Sequence, residues 1–172
     1  VGARAGNTLA AGYGLEVLGG AWAAQLGYRG AGTGSIAVRT GLGGVTVNSS
    51  AVGWAQIGHG GGVNLNNIHT AGDIEVSTTG DVVLDATGTD ANSYAQIGMG
   101  ALGGSGHVTG VSAISVRVIA DGDVIMTGGN GNNRSVHIGH GGAGHDGNIV
   151  NGGVEVVGES VTLTAGPGIA AF

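Results

Sequence analysis

Trp54-Ala55-Gln56-Ile57-Gly58-His59-Gly60-Gly61 returns along the chain, and its returns decide the architecture. The phrase comes back as Tyr94-Ala95-Gln96-Ile97-Gly98-Met99-Gly100 and as Val136-His137-Ile138-Gly139-His140-Gly141-Gly142. An earlier copy reads Ala24-Gln25-Leu26-Gly27-Tyr28-Arg29-Gly30. The anchoring glycines, Gly27, Gly58, Gly98 and Gly139, fall 31, 40 and 41 residues apart. A unit recurring at such a period buries its apolar face against the next copy, so recurrence points to a stacked array.

Two strand signals follow each anchor. The first is an alternating triplet: Ile36-Ala37-Val38, Ile74-Glu75-Val76, Ile114-Ser115-Val116 and Val154-Glu155-Val156. The second follows a Gly or polar corner: Val45-Thr46-Val47, Val82-Val83-Leu84, Val124-Ile125-Met126 and Val161-Thr162-Leu163. Alternation with period two, bounded by Gly, Asn, Asp and Ser, is a strand signature. No 3.6-residue apolar stripe runs long enough for a helix, and Gly interrupts every candidate.

The expectation is therefore an all-β, parallel β-solenoid of about four coils with three main strands per coil. It is right-handed by the general preference of parallel crossovers. Repeats begin near residues 21, 52, 92 and 134, and residues 1–20 complete a preceding coil, with Leu15-Glu16-Val17 as its last strand. Inward residues stack in columns: Leu26, Ile57, Ile97 and Ile138; Val38, Val76, Val116 and Val156; Val47, Leu84, Met126 and Leu163. The anchor glycines form a column of their own, as do Gln25, Gln56, Gln96 and His137, read as a ladder of stacked side-chain amides. From anchor to first triplet there are 9, 16, 16 and 15 residues. The three longer segments hold Val63-Asn64-Leu65, His107-Val108-Thr109 and Asn148-Ile149-Val150, where a short extra strand fits.

Composition agrees and narrows the function. Gly makes up 41 of 172 residues, without a Gly-X-Y triplet and with Pro167 as the single proline, which excludes collagen. A hydrophobic content of 41% is enough to build a core and argues against a disordered Gly-rich linker. The net charge is −6, with five Arg and no Lys, so nothing favours nucleic acid or anionic lipid. There is no Cys, hence neither disulfide nor thiolate metal site. No apolar run reaches about 18 residues, so no membrane insertion is expected.

The candidate sites each have a plainer reading. Tyr28, His59, Met99 and His140 follow the anchor glycines and read as exposed corner residues; His59 and His140 are separated by a whole coil, too far to share a zinc ion. His140, His145 and Asp146 share one Gly-rich loop, but their spacing matches no strong metal motif and a solvated loop is favoured. Gly128 to Asn133 lacks the Asp of a calcium-binding nonapeptide and reads as a turn. Asp81 and Asp123 sit at equivalent corners, with Asp73, Glu75, Glu155 and Glu159 nearby. Carboxylates on successive coils could serve glycoside hydrolysis, but Asp at a Gly-Asp corner more simply accepts turn N–H groups. No nucleophile elbow, phosphate loop or zinc-protease motif occurs. An ice-binding face is not expected, because Thr46, Thr78, Thr79, Thr162 and Thr164 form no regular lattice. No catalytic, metal or cofactor-binding residue is assigned, and no cofactor is expected.

The residues Trp54 to Gly61, Gly72 to Val76, Gly80 to Ala86, Tyr94 to Gly98 and Gly122 to Met126 resemble the repeats of filamentous-haemagglutinin-type, two-partner-secreted bacterial exoproteins. The likeness covers roughly residues 20–168; it departs in the short first repeat and at Ser160, which stands where other repeats have Asp. It implies a secreted, right-handed β-helix at the bacterial cell surface, serving as adhesin or shaft. The expected function is a non-catalytic structural solenoid, with a carbohydrate-binding or carbohydrate-cleaving β-helix as the alternative. Neither end of the sequence carries a polar or helical cap, so self-association end to end or continuation into further repeats is expected. A host or cell-surface glycan or protein is a further candidate partner.

Overall fold

The computed structural model describes residues 7–28, 32–50, 52–60, 68–89, 93–100, 108–109, 115–131, 134–141 and 152–166. Every regular element among them is a strand. β1 (Asn7–Ala11) and β2 (Gly14–Gly19) precede the first coil. That coil holds β3 (Ala24–Leu26), β4 (Gly32–Thr33), β5 (Ile36–Thr40) and β6 (Gly44–Ser49). The second holds β7 (Ala55–Ile57), β8 (Ile68–Ala71), β9 (Ile74–Thr78) and β10 (Val82–Asp85). The third holds β11 (Ala95–Met99), β12 (Val108–Thr109), β13 (Val116–Ala120) and β14 (Val124–Thr127). The fourth holds β15 (Val136–His140), β16 (Val154–Val157) and β17 (Val161–Thr164).

Like strands stack on like. One sheet runs β1-β5-β9-β13-β16, a second β2-β6-β10-β14-β17 and a third β3-β7-β11-β15, all parallel, with a minor sheet β4-β8-β12. The chain is thus an all-β parallel solenoid of about four coils. Each backbone N–H and C=O along a strand finds its partner in the coil above or below, which lets so Gly-rich a chain keep a continuous ladder. The minor sheet places extra strands at residues 68–71 and 108–109, and the short first repeat carries one too, at residues 32–33. Val63-Asn64-Leu65 and Asn148-Ile149-Val150 lie outside the described residues.

The core is a narrow aliphatic shaft. Strands β5, β9 and β13 alternate buried and less buried residues, as period two requires. Ile57, Ile97, Val76, Leu84 and Val118 lose all contact with solvent, each side chain contributing roughly 1.5–3 kcal/mol of burial. The column Leu26, Ile57, Ile97, Ile138 is in register, as is Val47, Leu84, Met126, Leu163.

One column differs from expectation. Val116 pairs with Ile74 and Val154, not with Val76 and Val156; the partner of Val76 and Val156 is Val118. The third triplet is therefore Val116-Arg117-Val118, two residues later than Ile114-Ser115-Val116. A slip of two keeps every side chain on its face, so alternation alone does not distinguish the registers. Charge and corner spacing do. The observed register sets Arg117 against Glu75 and Glu155, and Arg117 Nε donates to Glu155 Oε2 at 2.6 Å. It also keeps Ile74 to Val82 and Val116 to Val124 at the same eight-residue separation. In sequence, 18 residues separate Gly98 from Val116, against 16 from Gly58 to Ile74.

Candidate functional site

Polar side chains concentrate at two kinds of place: the turn after each anchor glycine, and the corners that open the two long strands of each coil. Gln25, Gln56 and Gln96 align in register with His137, but their amides do not bond to one another. Each amide donates instead to carbonyls. Gln25 Nε2 reaches Tyr28 O (3.0 Å) and Gly58 O (2.7 Å). Gln56 Nε2 reaches His59 O (3.3 Å), Gly98 O (2.9 Å) and Gly100 O (3.2 Å), and Gln96 Nε2 reaches Met99 O (3.4 Å) and Gly141 O (2.7 Å). His137 Nε2 makes the matching bond to His140 O at 3.1 Å. Every member of the column thus holds the carbonyl three residues ahead in its own turn. The three glutamines also hold a glycine carbonyl of the next coil. That is the correction to the amide ladder: turn carbonyls, which need donors, capture both N–H groups and fix the amide orientation. The Gln56 Oε1 atom is left buried without a partner.

The glycine column explains why these turns close so tightly. Gly58 and Gly98 adopt φ of +146° and +151°, and a Cβ on either would stand 1.8 and 1.7 Å from the carbonyl oxygen of the next anchor glycine. Only glycine fits there. Gly27 meets the Gly58 oxygen in the same way, and the Gly139 backbone occupies that place above Gly98.

The residue after the anchor is a second correction. His59 and Met99, expected as exposed corner residues, are fully buried, while Tyr28 and His140 are half-buried. Glycines at positive φ on both sides of His59, Gly58 and Gly60, turn the chain back so that the middle residue lies inside the corner. His59 Nδ1 accepts the Tyr28 N–H (3.1 Å), so its proton sits on Nε2, which donates to Gly34 O (2.9 Å). Burial pushes its pKa below the usual histidine value, and the Gly34 carbonyl opposes this. His137 is likewise lowered, chiefly by burial, with the neighbouring His140 adding to the effect and the His140 carbonyl opposing it.

The aspartate corners use their carboxylates between coils. Asp81 Oδ1 accepts the Asp123 N–H at 2.9 Å, and Asp123 Oδ1 accepts the Ser160 N–H (3.1 Å) and Oγ–H (2.7 Å). Ser160, the departure from the repeat pattern, ends this chain of bonds as a donor. At the other corner Asp73 Oδ1 accepts the Ser115 N–H (2.9 Å) and Oγ–H (2.8 Å), and the Asp73 N–H meets Ser35 Oγ at 3.3 Å. The bonds from Ser115, backbone first and hydroxyl second, hold the Asp73 carboxyl below the usual carboxylate range. A carboxyl with a depressed pKa adds stability above the ordinary carboxylate range and loses it as pH falls through its own pKa. Asp73→Asn should therefore shrink the acid-side loss of stability, measured as the urea midpoint between neutral pH and about pH 3; an unchanged slope would show that the bond to Ser115 carries none of it.

Glu75 and Glu155 pair with Arg39 (3.2 Å) and Arg117 (2.6 Å) on the open face of their sheet, where such pairs contribute little. Glu159 lies exposed beyond β16, and its N–H donates to Gly122 O. Arg134 donates to the carbonyls of Asn130 and Thr89, and its own carbonyl accepts the Gly129 N–H; Asn132 and Asn133 lie outside the described residues. His145 and Asp146 lie outside the described residues, so no geometry joins them to His140. Among the described residues no group of three or more His, Asp or Glu is placed to hold a metal ion.

Sequence reasoning passed over two aromatic features. Trp54 and Tyr94 stack face to face, with ring centroids 5.4 Å apart at 3°, and both are buried. Their equivalent places before successive anchors were the available signal. Trp22, by contrast, is 85% exposed. Comparison with models of protein families, with curated proteins and with solved structures finds no match to this chain.

Proposed function

We propose that the chain is a non-catalytic structural β-solenoid, a secreted shaft segment or subunit of a bacterial surface adhesin or filament of the filamentous-haemagglutinin type. The observation that carries this reading is where the recurring polar residues are spent. The glutamines of the anchor phrase and the aspartates of the corners all bond to a neighbouring coil. Groups tied into the stack in this way serve its rigidity. Stacking also has a surface on which to continue: Val161 and Leu163 of β17 stand 55% and 69% exposed, whereas Val45, Val82, Val124, Val47 and Leu84 of the same columns are buried. Self-association end to end, or further coils of the same kind, would cover them.

Immunogold labelling of intact cells of the source bacterium, together with electron micrographs of the purified chain, tests the reading. Surface label with rods that lengthen along one axis, by about 5 Å per added coil, is the expected result. Label confined to the cell interior overturns it.

The exposed Trp22 favours a second reading, a carbohydrate-binding solenoid, since an uncovered indole is a stacking surface for a sugar ring. A glycan array with the wild type, Trp22→Ala and the pair Asp81→Ala and Asp123→Ala distinguishes binding at the indole from binding at the carboxylates. No glycan bound by the wild type disposes of this reading.

A further inference from the structure

We propose that His59 is an acid-operated latch that fastens the Tyr28–Gly34 corner of the first coil onto the second. The inference does not depend on the function proposed above. The ring touches that corner at both ends: Nδ1 takes the Tyr28 N–H at 3.1 Å, and Nε2–H gives its hydrogen to Gly34 O at 2.9 Å. One neutral imidazole therefore spans the two ends of a seven-residue segment in another coil. It is wholly buried, and the Tyr28 ring lies over it at 5.4 Å and 32°.

The bonds demand one protonation state. Nδ1 serves as an acceptor only while it carries no hydrogen. A second proton turns it into a donor facing the Tyr28 N–H, so one of the two latch bonds must break and a cation is left buried without a counter-charge. The rest of the corner does not share this sensitivity. Tyr28 O is held separately by the Gln25 amide (3.0 Å) and the Gly60 N–H (2.8 Å), and His59 O by Gln56 and the Gly100 N–H. Acid thus releases the Tyr28 N–H, while Nε2–H still donates to the Gly34 carbonyl and the strands beneath stay paired.

The charged surroundings do not rescue the imidazolium. From the first coil the ring faces the phenol ring of Tyr28. The corresponding residue of the third coil is Met99, which carries no charge, and within its own turn the neighbour is the Gln56 amide. Asp73 lies beside Ser35, but its Oδ1 is engaged by Ser115 of the third coil. The side chains of Arg29 and His69 lie outside those described. Burial and the Gly34 carbonyl are the two influences on the ring, and burial dominates, so the folded protein resists protonation that the unfolded chain accepts near pH 6.5. The latch is secure above that value and weakens as pH falls toward the lower pKa of the folded state. Between about 6.5 and that lower pKa the open fraction grows by about tenfold per pH unit, and it levels off below.

Amide exchange and ring-nitrogen NMR on the whole chain test this between pH 7.5 and pH 4.5. The expected result is a ring proton on Nε2 at neutral pH. Protection of the Tyr28 amide, corrected for intrinsic exchange, should fall by about tenfold or more on acidification, while the Ile97 amide stays protected. Its midpoint should coincide with that of the His59 ring nitrogens. In His59→Gln or His59→Phe the Tyr28 step should vanish; in His137→Gln it should persist. A proton on Nδ1, flat Tyr28 protection across the range, or a step that survives in the His59 variants would overturn the proposal. Should both variants fail to fold, the wild-type midpoints decide: agreement supports the latch and disagreement overturns it.

Discussion

Gly98→Ala should unfold most of the population at intermediate urea concentrations where the wild type is still native. The alanine Cβ would stand 1.7 Å from the Gly139 carbonyl oxygen and 2.8 Å from its carbon, and both are backbone atoms. No side-chain rotation relieves that overlap; β11 and β15 must move apart. The backbone conformation, φ +151°, adds strain of roughly 1–3 kcal/mol for any residue with a Cβ. Together these put the cost at the rare upper end for single substitutions, above about 4 kcal/mol, against a total stability of order 5–15 kcal/mol. Gly20→Ala is the control, since a Cβ there meets nothing within 4 Å. Urea melts followed by circular dichroism give both values. A Gly98→Ala protein within about 1 kcal/mol of wild type would mean that the anchor glycines do not stack as described.

The second large effect compares two leucines of one column. Leu84 is wholly buried between Val47 and Met126, whereas Leu163 ends the same column 69% exposed. Coils on either side of Leu84 are pinned by parallel strand pairing, so the space left by truncation does not close easily. Leu84→Ala should accordingly cost about 2–5 kcal/mol, near the upper part of that range. Leu163→Ala should cost under about 1 kcal/mol in dilute solution. The pair also bears on self-association. Copies stacking at β17 would bury Leu163, and its substitution would then become more costly as protein concentration rises.

How far the sequence could be read follows from what each signal measures. The recurrence of Gln-Ile-Gly sets which strands are neighbours, and the paired registers of Ile57 with Ile97 and Val82 with Val124 follow from it. Alternation is blind to a slip of two, which is why the sequence alone reads the third triplet two residues early; the eight-residue separation shared with Ile74 to Val82, and Arg117 set against Glu75 and Glu155, held the missing information. His59 was misjudged because Gly-His-Gly has the composition of a loose corner, and only backbone angles reveal a turn that folds its middle residue inward. The glutamines illustrate a third limit. A column of amides is legible in the sequence, but whether amides bond to each other or to carbonyls depends on how close the glycine turns bring those carbonyls.

The reach of Gln25, Gln56 and Gln96 gives the molecule an arrow. Each amide is completed by a glycine carbonyl of the following coil, as Asp81 and Asp123 are by the following corner. A turn emerging during synthesis therefore has its own polar groups satisfied only when its successor arrives. Duplicating or removing one whole repeat restores every such bond, whereas an insertion of half a repeat leaves donors and acceptors facing the wrong neighbours. Arrays built this way change length in whole modules and always in the same sense.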